Sequence, residues 1–254
     1  MKSRRRDITF EFEKNGFMSN YYFRFFSVVL VGIALLAAVS CSKIGNSVET
    51  VAAESKGNSI NPQPIVLPTP ATAAKGEQTA VFAGGCFWGL EAVFEHIKGV
   101  KDVTSGYSGG MAKMADYETV SGGDTGHAES VKITFDSTQI SYEQLLKVFF
   151  AVAHDPTQLN RQTPDTGTQY RSAIFYANDE QKRFAENYIA ELTKAKTFEQ
   201  PIVTQVVKLD AFYKAEDYHQ DYLAHHPTQP YIVAYDQPKV EDLRKQFPDL
   251  YASK

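Results

Sequence analysis

Thr79-Ala80-Val81-Phe82-Ala83-Gly84-Gly85-Cys86-Phe87-Trp88-Gly89 joins a short apolar run to two glycines, a cysteine and two aromatic residues. An apolar run of this length, stopped by glycines, reads as a buried strand. Beyond it Phe87, Leu90, Phe94 and Ile97 recur at helical spacing, and Gly99 supplies a C-terminal stop. A strand therefore turns into a helix at Cys86. The unpaired amides and positive dipole end of a helix N-terminus favour thiolate over thiol, so a lowered Cys86 pKa is expected. A lone cysteine is more often a small buried hydrophobe. Three features set Cys86 apart from that reading: the glycines that open space, the helix start, and the adjacent rings of Phe87 and Trp88. Rings beside a sulfur nucleophile offer an apolar pocket for a small substrate group.

Downstream, Val100 to Tyr107 reads as a strand, followed by a glycine-rich loop to His127. No Gly-Lys-Ser/Thr follows those glycines, which excludes a phosphate loop. Loops this long in a compact domain are often functional. From Glu129 to Phe135, Val131, Ile133 and Phe135 alternate with Ser130, Lys132 and Thr134. Side chains alternate faces along a strand, so Glu129 shares the buried face. Desolvation there raises a carboxyl pKa, which suits a general acid. The alternative is a strand-end glutamate facing water. Ser141 and Gln144 form a capping box, with Ile140 stapled to Leu145, and open a helix to about Ala153. His154-Asp155-Pro156 breaks it. A strand at about Ser172 to Tyr176, a helix capped by Asn178 or Asp179 and running to about Ala195, a strand at Ile202 to Leu209 and a short helix at Ala215 to Ala224 complete the pattern. The fold class expected is α+β: a two-layer α/β sandwich on one mixed sheet, with a ferredoxin-like core and long loops.

Upstream the chain is not globular. Lys2 and Arg4 to Arg6 are basic, with an apolar run from about Phe25 to Val39 before Ser40-Cys41. This is the make-up of a secretory signal, and the run is short for a membrane span of roughly 20 residues. Ala38-Val39-Ser40-Cys41 resembles a lipoprotein cleavage box, in which Cys41 is lipidated. A plainly cleaved signal and a retained anchor remain open, and all three place the domain outside the cytoplasm; the expectation is a periplasmic lipoprotein tethered to the membrane. Residues 42–77, rich in Ser, Asn, Ala, Thr and Pro, read as an extended, disordered tether. The catalytic domain then spans 78–254.

A net charge of −4 gives no sign of nucleic-acid binding. His219, His225 and His226 cluster in sequence, without a second cysteine or an acidic ligand at zinc spacing. A Cys–His hydrolase remains possible from composition alone. So do a cysteine-based peroxide reductase and a non-catalytic surface module. Cys41 and Cys86 are the only cysteines. If Cys41 is lipidated or removed, the mature domain keeps one free thiol in an oxidising compartment. That points to chemistry that uses oxidation.

Gly85-Cys86-Phe87-Trp88-Gly89 resembles the signature of the A-type peptide-methionine sulfoxide reductases. So, in family order, do Gly106-Tyr107-Ser108-Gly109-Gly110, Asp116-Tyr117-Glu118, Ser121 to Glu129, His154-Asp155-Pro156-Thr157 and Asp165 to Ser172. The resemblance implies Cys86 as nucleophile and Glu129 as the acid that protonates the sulfoxide oxygen. It implies Phe87 and Trp88 as the pocket for the S-methyl group. Tyr117 and Tyr170 would be hydroxyl donors near that oxygen, and Asp165 an acidic residue of the same pocket. It further implies action on the S epimer of methionine sulfoxide, free or in proteins. No metal or organic cofactor is implied, only a thiol reductant, and the chain is expected to act as a monomer. Many members carry resolving cysteines near the C-terminus, and residues 215–254 have none. An external thiol, from a thioredoxin-like protein or a small thiol, is therefore expected to reduce Cys86.

Overall fold

The computed structural model describes residues 76–253. The leader, Cys41 and nearly all of the tether lie outside them. Among the described residues no helix is long and apolar enough to cross a membrane.

The chain runs β1 (Glu77–Ala83), α1 (Phe87–Glu95), β2 (Val100–Ser108), α2 (Tyr117–Val120), β3 (Ala128–Asp136), α3 (Tyr142–Val148), β4 (Arg161–Gln162), β5 (Asp165–Thr166), β6 (Ala173–Tyr176), α4 (Asp179–Lys194), β7 (Gln205–Lys208), β8 (Phe212–Lys214), α5 (Tyr222–His225) and α6 (Gln237–Gln246). Six strands form one sheet in the order β7-β6-β1-β3-β2-β8, and β4 pairs with β5 separately. The inner four, β6-β1-β3-β2, pair antiparallel throughout. This is the split βαβ arrangement of a ferredoxin-like core. β7 joins β6 in parallel and β8 joins β2 antiparallel, which makes the sheet mixed.

β1 is central, and its run Ala80 to Ala83 is buried on both faces, as expected of a strand covered on two sides. On one face Phe82 meets Phe94 of α1, Tyr142 of α3 and Phe149, with ring centroids 4.9–5.9 Å apart. Val131, Ile133 and Phe135 of β3 join the same core. On the other face Val81, Ala83, Ala128, Ala173 and Phe175 make a smaller cluster beneath Leu209 and Phe212.

The capping box on α3 is present, with Ser141 and Gln144 bonded reciprocally. Asn178 is the residue that caps α4, accepting from the Gln181 amide at 2.9 Å. Three local expectations give way to tertiary contacts. The glycine-rich loop contains a 3₁₀ turn, Ala112–Met114, and the short α2. The α3 helix ends at Val148 and widens into a π turn, Phe149–Ala153. Residues 215–224 form a 3₁₀ turn, Asp217–His219, before α5. The apolar run at Tyr231 enters a second π turn, Ile232–Asp236, that feeds α6.

Candidate active site

β1 delivers the chain to the Cys86 turn. Gly85 has φ of +98°, and a Cβ there would lie 2.6 Å from the Gln162 side chain, so both conformation and space require glycine. Cys86 is the N-cap of α1 with an extended ψ of 128°. Glu129 is the second residue of β3, which pairs it with Tyr107 of β2. It is 3% exposed, as the alternation along β3 predicts. Its Oε2 accepts the Phe87 amide at 3.1 Å, so Glu129 is tied to the first residue of the helix that follows Cys86.

Burial pushes the Glu129 carboxyl up to about 8, against hydrogen bonds from the Phe87 amide and the Cys86 thiol. Glu129 is therefore protonated at neutral pH. Cys86 departs from expectation. Its thiol is pushed well above the ordinary range by burial, then by Glu129 and Asp236, while the Trp88 amide and Lys239 oppose the shift. The helix start acts in the direction foreseen. Desolvation of a group only 8% exposed outweighs it, and the resting residue is a thiol.

Tyr117, the first residue of α2, and Tyr170, at the end of the 3₁₀ turn Thr168–Tyr170, converge here. Burial and the nearby carboxylates Glu129 and Asp165 raise both phenols, so they remain O–H donors. Asp165, at the start of β5, accepts a short hydrogen bond from the Tyr231 hydroxyl. Burial raises its carboxyl, against that bond and the Lys239 charge. All seven residues expected in this site from Cys86 to Tyr170 are thus brought together.

The two rings after Cys86 take different places. Phe87 is 1% exposed and packs against Tyr107 and His219 at 5.8 and 5.0 Å. Trp88 is only part-buried. It stacks on Tyr222 at 3.7 Å and meets Tyr231 edge-on at 6.0 Å.

Several members of the site are not legible from local sequence. His219 Nδ1 accepts the Trp88 indole N–H at 3.2 Å, which leaves the ring proton on Nε2, facing Glu216 at 3.8 Å. Burial lowers the His219 pKa, so this contact is not an ion pair. Glu216 accepts the Tyr107 hydroxyl and the Tyr117 amide, each at 2.9 Å, and so links β2 to α2. The histidine cluster of the sequence is broken up: His219 is buried beside Trp88, whereas His225 and His226 are exposed. The one available signal was the density of aromatic residues between 213 and 235.

A mostly closed thiol, a protonated carboxylic acid, two phenol donors and an apolar wall suit attack on a small polar sulfur or carbonyl group. The comparisons narrow the choice. Residues 78–251 match the family described as peptide methionine sulfoxide reductase. A peptide methionine sulfoxide reductase MsrA 2 of Mesorhizobium japonicum is 58% identical over 182 residues, 72% of this chain and 93% of that protein. One from Synechocystis is 54% identical over 189 residues, 74% of this chain and 88% of the relative. Among solved structures, Mxr1 of Saccharomyces cerevisiae in reduced form superposes with a TM-score of 0.56 at 32% identity, covering 61% of this chain and 88% of the other. Methionine sulfoxide reductase A of Corynebacterium diphtheriae gives 0.54 at 35% identity, covering 61% and 77%. With the family match spanning nearly all of the described residues, the chain belongs to the peptide methionine sulfoxide reductases.

Proposed function

We propose that this methionine sulfoxide reductase acts on the S epimer, free or within oxidised proteins, with Cys86 as nucleophile and Glu129 as general acid. The observation that carries the reading is a carboxylic acid kept protonated at neutral pH by burial and hydrogen-bonded at the Cys86 turn. A sulfoxide sulfur is a poor electrophile until its oxygen is protonated. Glu129 gives its proton to that oxygen, with Tyr117 and Tyr170 donating hydrogen bonds. Cys86 sulfur attacks the activated sulfur and passes its own proton to the vacated carboxylate. The hydroxyl group then moves to Cys86, and methionine leaves as the thioether. The substrate sulfur gains two electrons and Cys86 becomes a sulfenic acid, the reversible rung of cysteine oxidation. Trp88 offers the S-methyl group an apolar surface, with Phe87 behind it.

Recycling uses an external thiol, since no cysteine follows Cys86 in the sequence and Cys41 is expected to be lipidated or removed with the leader. A first thiol forms a mixed disulfide and releases water. A second attacks the reductant's sulfur and frees Cys86. A thioredoxin-like protein or a small thiol fits this role. The basic, apolar and small-residue leader supports a periplasmic, membrane-tethered enzyme, with Cys41 as the lipidated residue.

Single-turnover reduction of each epimer without reductant tests the chemistry. Methionine formed from the S epimer alone, with one oxygen gained on the Cys86 peptide, is expected. Equal use of both epimers, or turnover of peroxide in place of sulfoxide, would overturn it. Mass analysis of the mature N-terminus tests the lipid on Cys41.

A further inference from the structure

The groups facing Cys86 form an almost wholly acidic set. Glu129 comes from β3 and Asp236 from the turn before α6, with Asp165 of β5 acting on Glu129 and the phenols of Tyr117, Tyr170 and Tyr231 also close to Cys86. A sulfur that must carry negative charge during attack is poorly served by such neighbours. Lys239, on the first turn of α6, stands against them. Its Nζ lies 3.2 Å from Asp236 Oδ1, and the lysine side chain is 18% exposed while that of Asp236 is fully buried. The second Asp236 oxygen is buried without a hydrogen-bond partner.

The pair sits where Gly89 has no side chain. A Cβ on Gly89 would lie 2.2 Å from Asp236 Oδ1 and 2.7 Å from Lys239 Nζ. Gly89 is three residues after Cys86, in the first turn of α1. The last glycine of the Gly85-to-Gly89 motif is thus explained by close approach of charge from the far end of the chain. Buried ion pairs are weak contributors to stability, since desolvation offsets their attraction. Their placement against the nucleophile's helix calls for another reason. The Lys239 charge also reaches Asp165 and His154 as well as Cys86.

We propose that Lys239, anchored by Asp236 in the space left by Gly89, is a positioning residue that supplies the compensating positive charge for the Cys86 thiolate. The role deepens the reductase reading and rests on it. Cys86 carries negative charge twice: as it attacks the sulfoxide sulfur, and as the leaving group when a second reductant thiol breaks the mixed disulfide. A lysine held by a buried aspartate serves both steps without touching substrate.

The test is the pH profile of Cys86 alkylation by iodoacetamide in the full-length resting protein, read on the Cys86 peptide by mass spectrometry. Lys239→Met is expected to move the profile to higher pH and slow alkylation at pH 7 on the order of tenfold, equivalent to one unit of thiol pKa. Lys239→Arg should keep the wild-type profile. A Lys239→Met profile that superimposes on wild type would overturn the proposal, whatever that variant's melting temperature. If Lys239→Met does not fold, Lys239→Gln decides: it keeps a polar partner for Asp236 without the charge, and a profile that superimposes on wild type overturns the proposal. Sulfoxide turnover by the wild-type protein is measured in parallel. Its absence would sink the reductase reading, whereas turnover with unshifted profiles would sink only the role of Lys239.

Discussion

At the scale of single residues, two titrations govern the site. Glu129 has its carboxyl raised from 4.5 to about 8 by burial. The folded state thus holds its proton more tightly than the unfolded chain. Its contribution to stability is complete below 4.5 and is lost as pH rises through about 8. Glu129→Gln removes that loss, so the melting temperature of the variant should gain on wild type steadily between pH 5 and pH 9. Calorimetry across that range measures it, and parallel pH curves would mean that Glu129 ionises normally. The same substitution removes the acid and should lower kcat by about 10²–10⁴, the usual worth of a positioned proton donor. In the wild type, sulfoxide turnover should fall as pH rises through about 8, because the ionised carboxylate has no proton to give. Cys86→Ser should abolish turnover.

At the scale of elements, the helix after Cys86 is held at its first two residues. Glu129 of β3 binds the Phe87 amide, and the Trp88 indole is fixed by His219 and Tyr222 from the C-terminal third. His219→Ala leaves the indole N–H without its partner. It should raise KM more than it lowers kcat, since Trp88 shapes the methyl surface and takes no part in proton transfer. Steady-state kinetics on free methionine sulfoxide distinguish the two. In the core, Phe82 is fully buried among Phe94, Tyr142 and Phe149. Phe82→Ala should cost about 3–5 kcal/mol, measured by denaturant unfolding. A loss below 1 kcal/mol would mean that the core collapses around the gap.

At the scale of the whole molecule, the proposed catalytic groups come from the turn after β1, from α2, β3 and β5, and from the 3₁₀ turn after β5, while the C-terminal third closes one side. That third holds no cysteine. It brings a wall of aromatic rings and the Asp236–Lys239 pair. Sustained turnover should therefore depend on added thiol, and Cys41→Ser should leave the rate in dithiothreitol unchanged. A Cys41–Cys86 disulfide after one turnover would contradict this.

Much of this molecule is written in short patterns. The strand-glycine-cysteine-helix order around Cys86, the two-residue alternation of β3 and the Ser141/Gln144 capping box are local, and each recurs in the fold. Glu129 was legible because burial follows strand parity, which is counted along the chain. The state of Cys86 was not. The helix dipole is a local property and reads from sequence, but desolvation and the charges of Glu129 and Asp236 depend on what packs over the turn. His219, Glu216, Tyr222, Tyr231, Asp236 and Lys239 escaped for the same reason. Each lies more than 120 residues from Cys86, and neither 3.6-residue nor 2-residue periodicity carries their position. The sequence alone thus determined the strand-to-helix turn at Cys86, the burial of Glu129 and the core that holds them. Only the tertiary structure decided the protonation state of the thiol and the identity of the wall that surrounds it, because electrostatics in a buried site are set by proximity in space.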